Sequence, residues 1–249
     1  MKVLQMEFYK LKRRKIWLAP LLMLTAQLLW GLWSFSDMSA KELSQGWANI
    51  LYNFPMLNAM MTPVIAAVIA SRAADIEHKG NTYKLLQTVA SPGRLFDAKL
   101  LCAAVWLTAA IVLQTVTITV FGTLRGFAGA PPVDEIALYF VSTLAVSLTI
   151  LLFQLILSML VPNQMIGMIL GLVGAFIGLF SLFFPQSFQK LLIWAYYGVL
   201  YTVRMDWDRA TRVVDYYFVR YDSTGLLCIC LFFIALYAIG RRLFIRKEV

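Results

Sequence analysis

Residues 136–189 read IALYFVSTLAVSLTILLFQLILSMLVPNQMIGMILGLVGAFIGLFSLFFPQSFQ, 54 residues without one charged side chain. A helix rises 1.5 Å per residue, so about 20 apolar residues cross the hydrocarbon of a bilayer with every backbone polar group bonded within the span. This run is too long for a single crossing. Val161-Pro162-Asn163-Gln164 interrupts it with a breaker that suits a tight reversal, and the run therefore predicts a helical hairpin with spans at 136–160 and 165–184. Four more charge-free runs flank it and supply one span each, at 16–36, 48–70, 100–121 and 224–240. The expected fold is an all-α polytopic membrane protein with six transmembrane helices in one domain, residues 1–249.

An even number of crossings puts both termini on one side, and the charges say which. Of the 22 Lys and Arg residues, 15 fall in the N-terminal segment, the 72–99 loop and the C-terminal tail, against 7 on the opposite side. By the positive-inside rule both termini are cytoplasmic. Five of the 13 acidic residues lie on that side, so the net charge of +9 belongs almost wholly to the inner face. A basic chain invites a nucleic-acid reading, but topology and anionic membrane lipids account for this charge, and no nucleic-acid partner is expected. Residues 16–36 are too long for the core of a secretion signal and are expected to stay as the first span. Ahead of them Leu4, Phe8 and Leu11 recur at i, i+4, i+7 among basic residues, which describes an interfacial helix over residues 1–15.

The six spans contain no Asp, Glu, Lys, Arg or His. Proton-coupled transporters and many intramembrane enzymes need such groups at membrane depth, so both classes are disfavoured. No G-x-x-x-x-G-K-[ST] loop occurs either, and nucleotide energy would have to come from another chain. Cys102, Cys228 and Cys230 fall inside spans and read as small buried apolar residues, with no metal site expected. Thr108, Thr115 and Thr119 share a face of the third span; Thr143, Ser147, Gln154 and Ser158 share one of the fourth. On the fifth, Gly167, Gly171, Gly174 and Gly178 form one stripe that lets backbones approach closely, either within the bundle or at a dimer seam or translocation surface. Pro55 and Pro63 should bend the second span.

The 72–99 loop reads RAADIEHKGNTYKLLQTVASPGRLFDAK. Gly80 breaks the chain, Asn81 caps a new turn, and residues 82–89 form a short helix with Tyr83, Leu86 and Val89 toward one face. Ser91-Pro92 then starts the third span. Such a segment is a docking element or simply a well-capped connection. Its order, Glu77 with Gly80-Asn81-Thr82, then Leu85-Leu86, Ser91-Pro92 with Arg94, and Ala98-Lys99, resembles the loop between spans two and three of type 2 ATP-binding-cassette (ABC) exporter permeases. The resemblance covers the layout of the whole chain. It implies that this loop is a coupling helix seated on an ABC ATPase dimer, with Glu77, Gly80, Asn81, Thr82, Tyr83, Leu86, Pro92 and Arg94 as coupling residues. It also implies that ATP and Mg reside on that partner, with no cofactor or catalytic group here. EHKGNTYKLL followed by SPGRLFDAK is most similar to the small permeases of bacterial lantibiotic-immunity exporters, which implies a bacterial plasma-membrane location, a second and different small permease, and a cationic amphipathic peptide or lipid-like substrate.

Residues 185–222 form the one long outer loop. Residues 191–203 carry no charge but are too few to cross, so a re-entrant or interfacial helix is expected there. Aromatics crowd the loop, and the default reading is an interfacial belt. A second reading takes Trp194, Tyr197, Tyr201 and Trp207 with Asp206, Asp208 and Asp215 as a surface for a cationic peptide, through charge pairing and cation–π contact. Arg204, Arg209, Arg212 and Arg220 are placed to neutralise those carboxylates internally. A membrane sensor or scaffold using the same loop without transport is the rival function.

Overall fold

The computed structural model describes residues 2–13, 15–80, 82–208 and 214–246. An amphipathic helix α1 (Lys2–Arg13) is followed by α2 (Leu18–Trp33) and the one-turn α3 (Ala40–Ser44). The long helices come next: α4 (Gly46–Gly80), the short α5 (Tyr83–Val89), α6 (Pro92–Leu124), α7 (Val133–Leu160) and α8 (Gln164–Ser181). Then come α9 (Gln186–Gln189), a 3-10 turn (Ile193–Ala195), α10 (Tyr196–Val199), strands β1 (Val203–Trp207) and β2 (Val214–Phe218), and α11 (Ser223–Arg246). Helices α4, α6, α7, α8 and α11 are long and apolar enough to cross a membrane, and α1 with α2 supplies a sixth candidate as one bent pair. The chain is thus an all-α polytopic membrane protein with a small hairpin appended. The expected reversal is present: α7 stops at Leu160, and the Asn163 side chain accepts from the Met165 backbone N–H at 3.1 Å to start α8.

Helix α4 is the axis of the bundle. In its most apolar window 72% of the residues are buried, against 17% for α11, so α4 is enclosed while α11 presents most of its surface to lipid. It runs uninterrupted through Pro55 and Pro63. Ala66, Ala67, Ala70, Ala73 and Ala74 make its inner face narrow, and Leu151, Leu155 and Met159 of α7 fill the core around it. With no hydrophobic drive between helices in lipid, such close approach of small residues supplies the packing energy. At one end of the bundle gather α1, α5 and the last turns of α11; at the other lie α3, the hairpin and an aromatic plug of Phe35, Trp47 and Phe127.

The outer loop departs from expectation. Residues 191–203 do not form one helix: a 3-10 turn and a single α turn fold into the bundle, with Tyr196, Tyr197, Val199 and Leu200 buried. The β-hairpin was not expected. Valines and aromatics in V-R-M-D-W and V-D-Y-Y-F favour extended backbone, and the strands pair antiparallel from Val203 with Phe218 to Trp207 with Val214. A lone two-stranded hairpin is marginal in water, and here the other elements hold it. Gln45 Nε2 donates to Asp215 at 3.1 Å, Gln45 Oε1 accepts from the Tyr216 N–H at 3.2 Å, and Tyr52 packs its ring on Tyr201 and Tyr216. Cys102 is buried as expected, whereas Cys230 is exposed on α11.

Candidate functional site

Four charged side chains close a ring where α1, α4 and α6 meet. Lys99 Nζ lies 2.9 Å from Glu7 Oε2 and 2.6 Å from Glu77 Oε2; Lys10 Nζ lies 2.9 Å from Glu7 Oε1 and 3.0 Å from Glu77 Oε1. Each carboxylate therefore accepts one hydrogen bond from each lysine. The third proton of Lys99 goes to the Ala73 carbonyl at 2.9 Å, which uses all the donors an ammonium has. Lys99, Glu77 and Glu7 are completely buried. Two positive and two negative charges make the ring neutral, and full satisfaction is what makes burying them tolerable. Burial disfavours the charge on Lys10, but hydrogen bonds and attraction from Glu7 and Glu77 outweigh it, and the ammonium pKa is held above its ordinary value.

The ring sits directly under the 72–99 segment. Helix α4 continues about ten residues past the span expected for it, and the Thr82 N–H donates to the Glu77 carbonyl at 3.1 Å as the chain turns into α5. Asn81 lies outside the described residues, as do the side chains of Lys84, Gln87 and Val89. Tyr83 and Leu86 are buried: the Tyr83 ring stands edge-on to His78 at 5.0 Å and to Phe244 of α11 at 6.0 Å. In this conformation the apolar side of α5 anchors it to its own bundle, and Glu77, expected among the coupling residues, is wholly internal. Among its described side chains, α5 shows Leu85, 65% exposed, and Thr88 outward. Gly80 is exposed, Pro92 occupies the first turn of α6, and Arg94 points outward beside them. A Cβ on Gly93 would lie 2.5 Å from the Arg241 guanidinium, which in turn reaches Asp97 at 3.2 Å. Tyr237 donates to the same carboxylate at 2.8 Å, so α11 is tied to the start of α6.

Residues 3–178 match the family described as ABC-2 family transporter protein. The chain belongs to that family. Comparison with curated proteins and with solved structures finds no match. This ABC-2 permease is accordingly the membrane component of an ABC transporter, partnered by an ABC ATPase and not itself the ATPase. The matched segment spans α1 to α8 and so contains the ionic ring and α5; the β-hairpin and α11 lie beyond it.

At the hairpin end of the permease, the sequence-predicted residues separate into two groups. Trp194 packs into α8, where a Cβ on Gly178 would lie 2.8 Å from its carbonyl oxygen and one on Gly174 would overlap its indole; its ring also stands edge-on to Phe153 at 5.3 Å. Tyr197 is buried with its hydroxyl 2.8 Å from Ser147, and Tyr201 stacks near Tyr52. These three serve the bundle interior in this conformation. Asp206, Trp207, Asp208 and Asp215 are exposed on or beside the hairpin. Asp206 and Asp215 are cross-strand partners, and among the described residues Lys41 pairs with Asp215, at 2.8 Å; its hydrogen bond holds that carboxyl below the usual range. Arg209 and Arg212 lie outside the described residues.

The glycine stripe of α8 faces inward. A Cβ on Gly171 would lie 2.5 Å from that of Ala67, and the Gln154 amide, oriented to donate to the Gly167 carbonyl at 2.9 Å, accepts from the Gly171 N–H at 3.1 Å. The sequence reading missed a second buried network. Asn58 Oδ1 accepts from Gln27 at 2.7 Å and Gln114 at 2.9 Å, while Asn58 Nδ2 donates to the Tyr139 hydroxyl at 2.9 Å and Tyr139 donates to Gln114 Oε1 at 2.9 Å. It joins α2, α4, α6 and α7. Its signal in sequence is Gln27, Asn58 and Gln114, amides within three apolar runs. Thr115 and Thr119, singled out instead, bond back to the carbonyls of their own helix.

Proposed function

We propose that this ABC-2 permease engages its ATPase dimer through the outward face of α5, around Leu85, and drives expulsion of a cationic amphipathic peptide of the lantibiotic type from the outer leaflet. The observation that carries the first half is the two-sided build of α5. Its inner face is locked to α11 through Tyr83 and Phe244, and its ends adjoin the ionic ring through Glu77 and the start of α6, so a push on Leu85 reaches α1, α4, α6 and α11 together. ATP and Mg act on the partner chain. The partner shifts the permease only as far as its two nucleotide states differ in affinity for the two permease states. In this reading the termini face the cytoplasm of a bacterial cell, and a second, different small permease completes the pore.

The substrate half is supported by the hairpin. Two carboxylates opposite each other on one face repel, and no cation among the described residues pairs with Asp206. A cationic side chain of the cargo would relieve that repulsion, with Trp207 beside it as an exposed aromatic face. Asp206→Asn together with Trp207→Ala is expected to lower protection of cells against a cationic lantibiotic while leaving insertion and ATPase association intact. Full protection by this variant would refute the peptide surface. A chain that brings down no ATPase on purification from its native membrane would instead favour a sensor role.

A further inference from the structure

The helices α2 and α6 face each other with matching stripes, at i, i+3, i+4 and i+7 from Trp17 at the N-cap of α2 and from Trp106 on α6. They do not close. Pro20, Ala109 and Ala110 are too short to fill the space, and a groove of about 470 Å³ remains, roofed at one end by Phe8, Tyr9 and Lys12 of α1. Ligand sites typically measure roughly 300–1,000 Å³. The groove follows α6 for about 10 Å at 1.5 Å per residue, from Trp106 to Leu113, within the apolar part of the helix. An empty space of this size beside lipid is filled from the bilayer.

The charge at its mouth says by what. Lys12 stands at the mouth, and no carboxylate among the described residues pairs with it; Lys10, two residues earlier, is consumed by the ionic ring. Arg13 and Lys15 are exposed at the same corner. The groove thus has an apolar trough with an unneutralised cationic rim. An apolar trough and a cation at its mouth match, in order, the acyl chain and the phosphate of a phospholipid. We propose that this groove is a binding site for an anionic phospholipid of the leaflet on the side of α1, with one acyl chain in the trough and its phosphate at Lys12.

Native mass spectrometry of the full-length chain, released from micelles holding equal amounts of phosphatidylglycerol and phosphatidylcholine with identical chains, tests this. The first retained lipid should be phosphatidylglycerol in about fivefold excess, the factor given by the attraction of roughly one basic residue to an anionic surface. Lys12→Gln should bring the ratio to unity. Ala109→Leu with Ala110→Leu should abolish retention of the first lipid, with the melting temperature in detergent showing that the fold is kept. Equal retention of the two lipids by the parent, a preference that survives Lys12→Gln, or retention that survives filling the trough would each overturn the site. So would a dimer of the chain that carries no lipid and dissociates when the trough is filled, since a second copy would then be the occupant.

Discussion

Lys99→Met tests whether the ionic ring is closed in the native protein. Methionine keeps the length and apolar stem of the side chain but removes three hydrogen bonds, to Glu7 at 2.9 Å, Glu77 at 2.6 Å and the Ala73 carbonyl at 2.9 Å. Two buried carboxylates then share Lys10 alone, and the ring carries one uncompensated negative charge. Removing one partner of a buried ion pair costs about 3–5 kcal/mol. For a chain of this size 1 kcal/mol moves the melting temperature by roughly 2–4 °C, so the variant should melt about 6–20 °C lower in a thermal series read by fluorescence-detected size exclusion. Adding Glu77→Gln restores neutrality, and the double variant should lose only about 1–3 kcal/mol, the penalty of an imperfectly bonded buried amide. The double change being milder than the single one is the signature of coupling. A Lys99→Met protein that melts within about 2 °C of the parent, or a double variant worse than either single, would show that these charges are not locked together.

At the other end of the fold, Gly174→Ala should cost about 1–3 kcal/mol by overpacking against the Trp194 indole, measured by the same melting series; an unchanged melting temperature would mean that the 193–199 turns do not pack into the bundle. For orientation, cysteines placed at Ser39 and Ser223 should react with an impermeant thiol reagent in intact cells while one at Ser91 should not. Labelling at Ser91 from outside would reverse the assignment of sides.

Much of the bundle is written in its apolar runs, because a span must satisfy its own backbone and so declares itself by length. The break at Val161-Pro162-Asn163 and the small-residue stripe of α8 were legible for the same reason: both are local patterns. What was not legible is where such a pattern points. Tyr83 and Leu86 fall on one face of α5 by spacing, but an apolar face is buried equally well by a partner or by the helix's own bundle, and only the position of Phe244, far along the chain, decides between them. The ring depends on separations of 92 residues between Glu7 and Lys99 and 67 between Lys10 and Glu77. In sequence its members are ordinary loop and interfacial charges, and Lys99 stands one residue before the expected third span. The hairpin escaped because its two short strands gain their stability from Gln45, Tyr52 and Lys41 on other elements.

If α5 meets the ATPase with the face opposite Tyr83, a photo-crosslinking residue placed at Leu85, and separately at Tyr83, in the assembled transporter shows it directly. A covalent adduct with the ATPase is expected from position 85 and none from position 83, where crosslinks should instead run within the chain to α11. An ATPase adduct from position 83 with none from position 85 would contradict it.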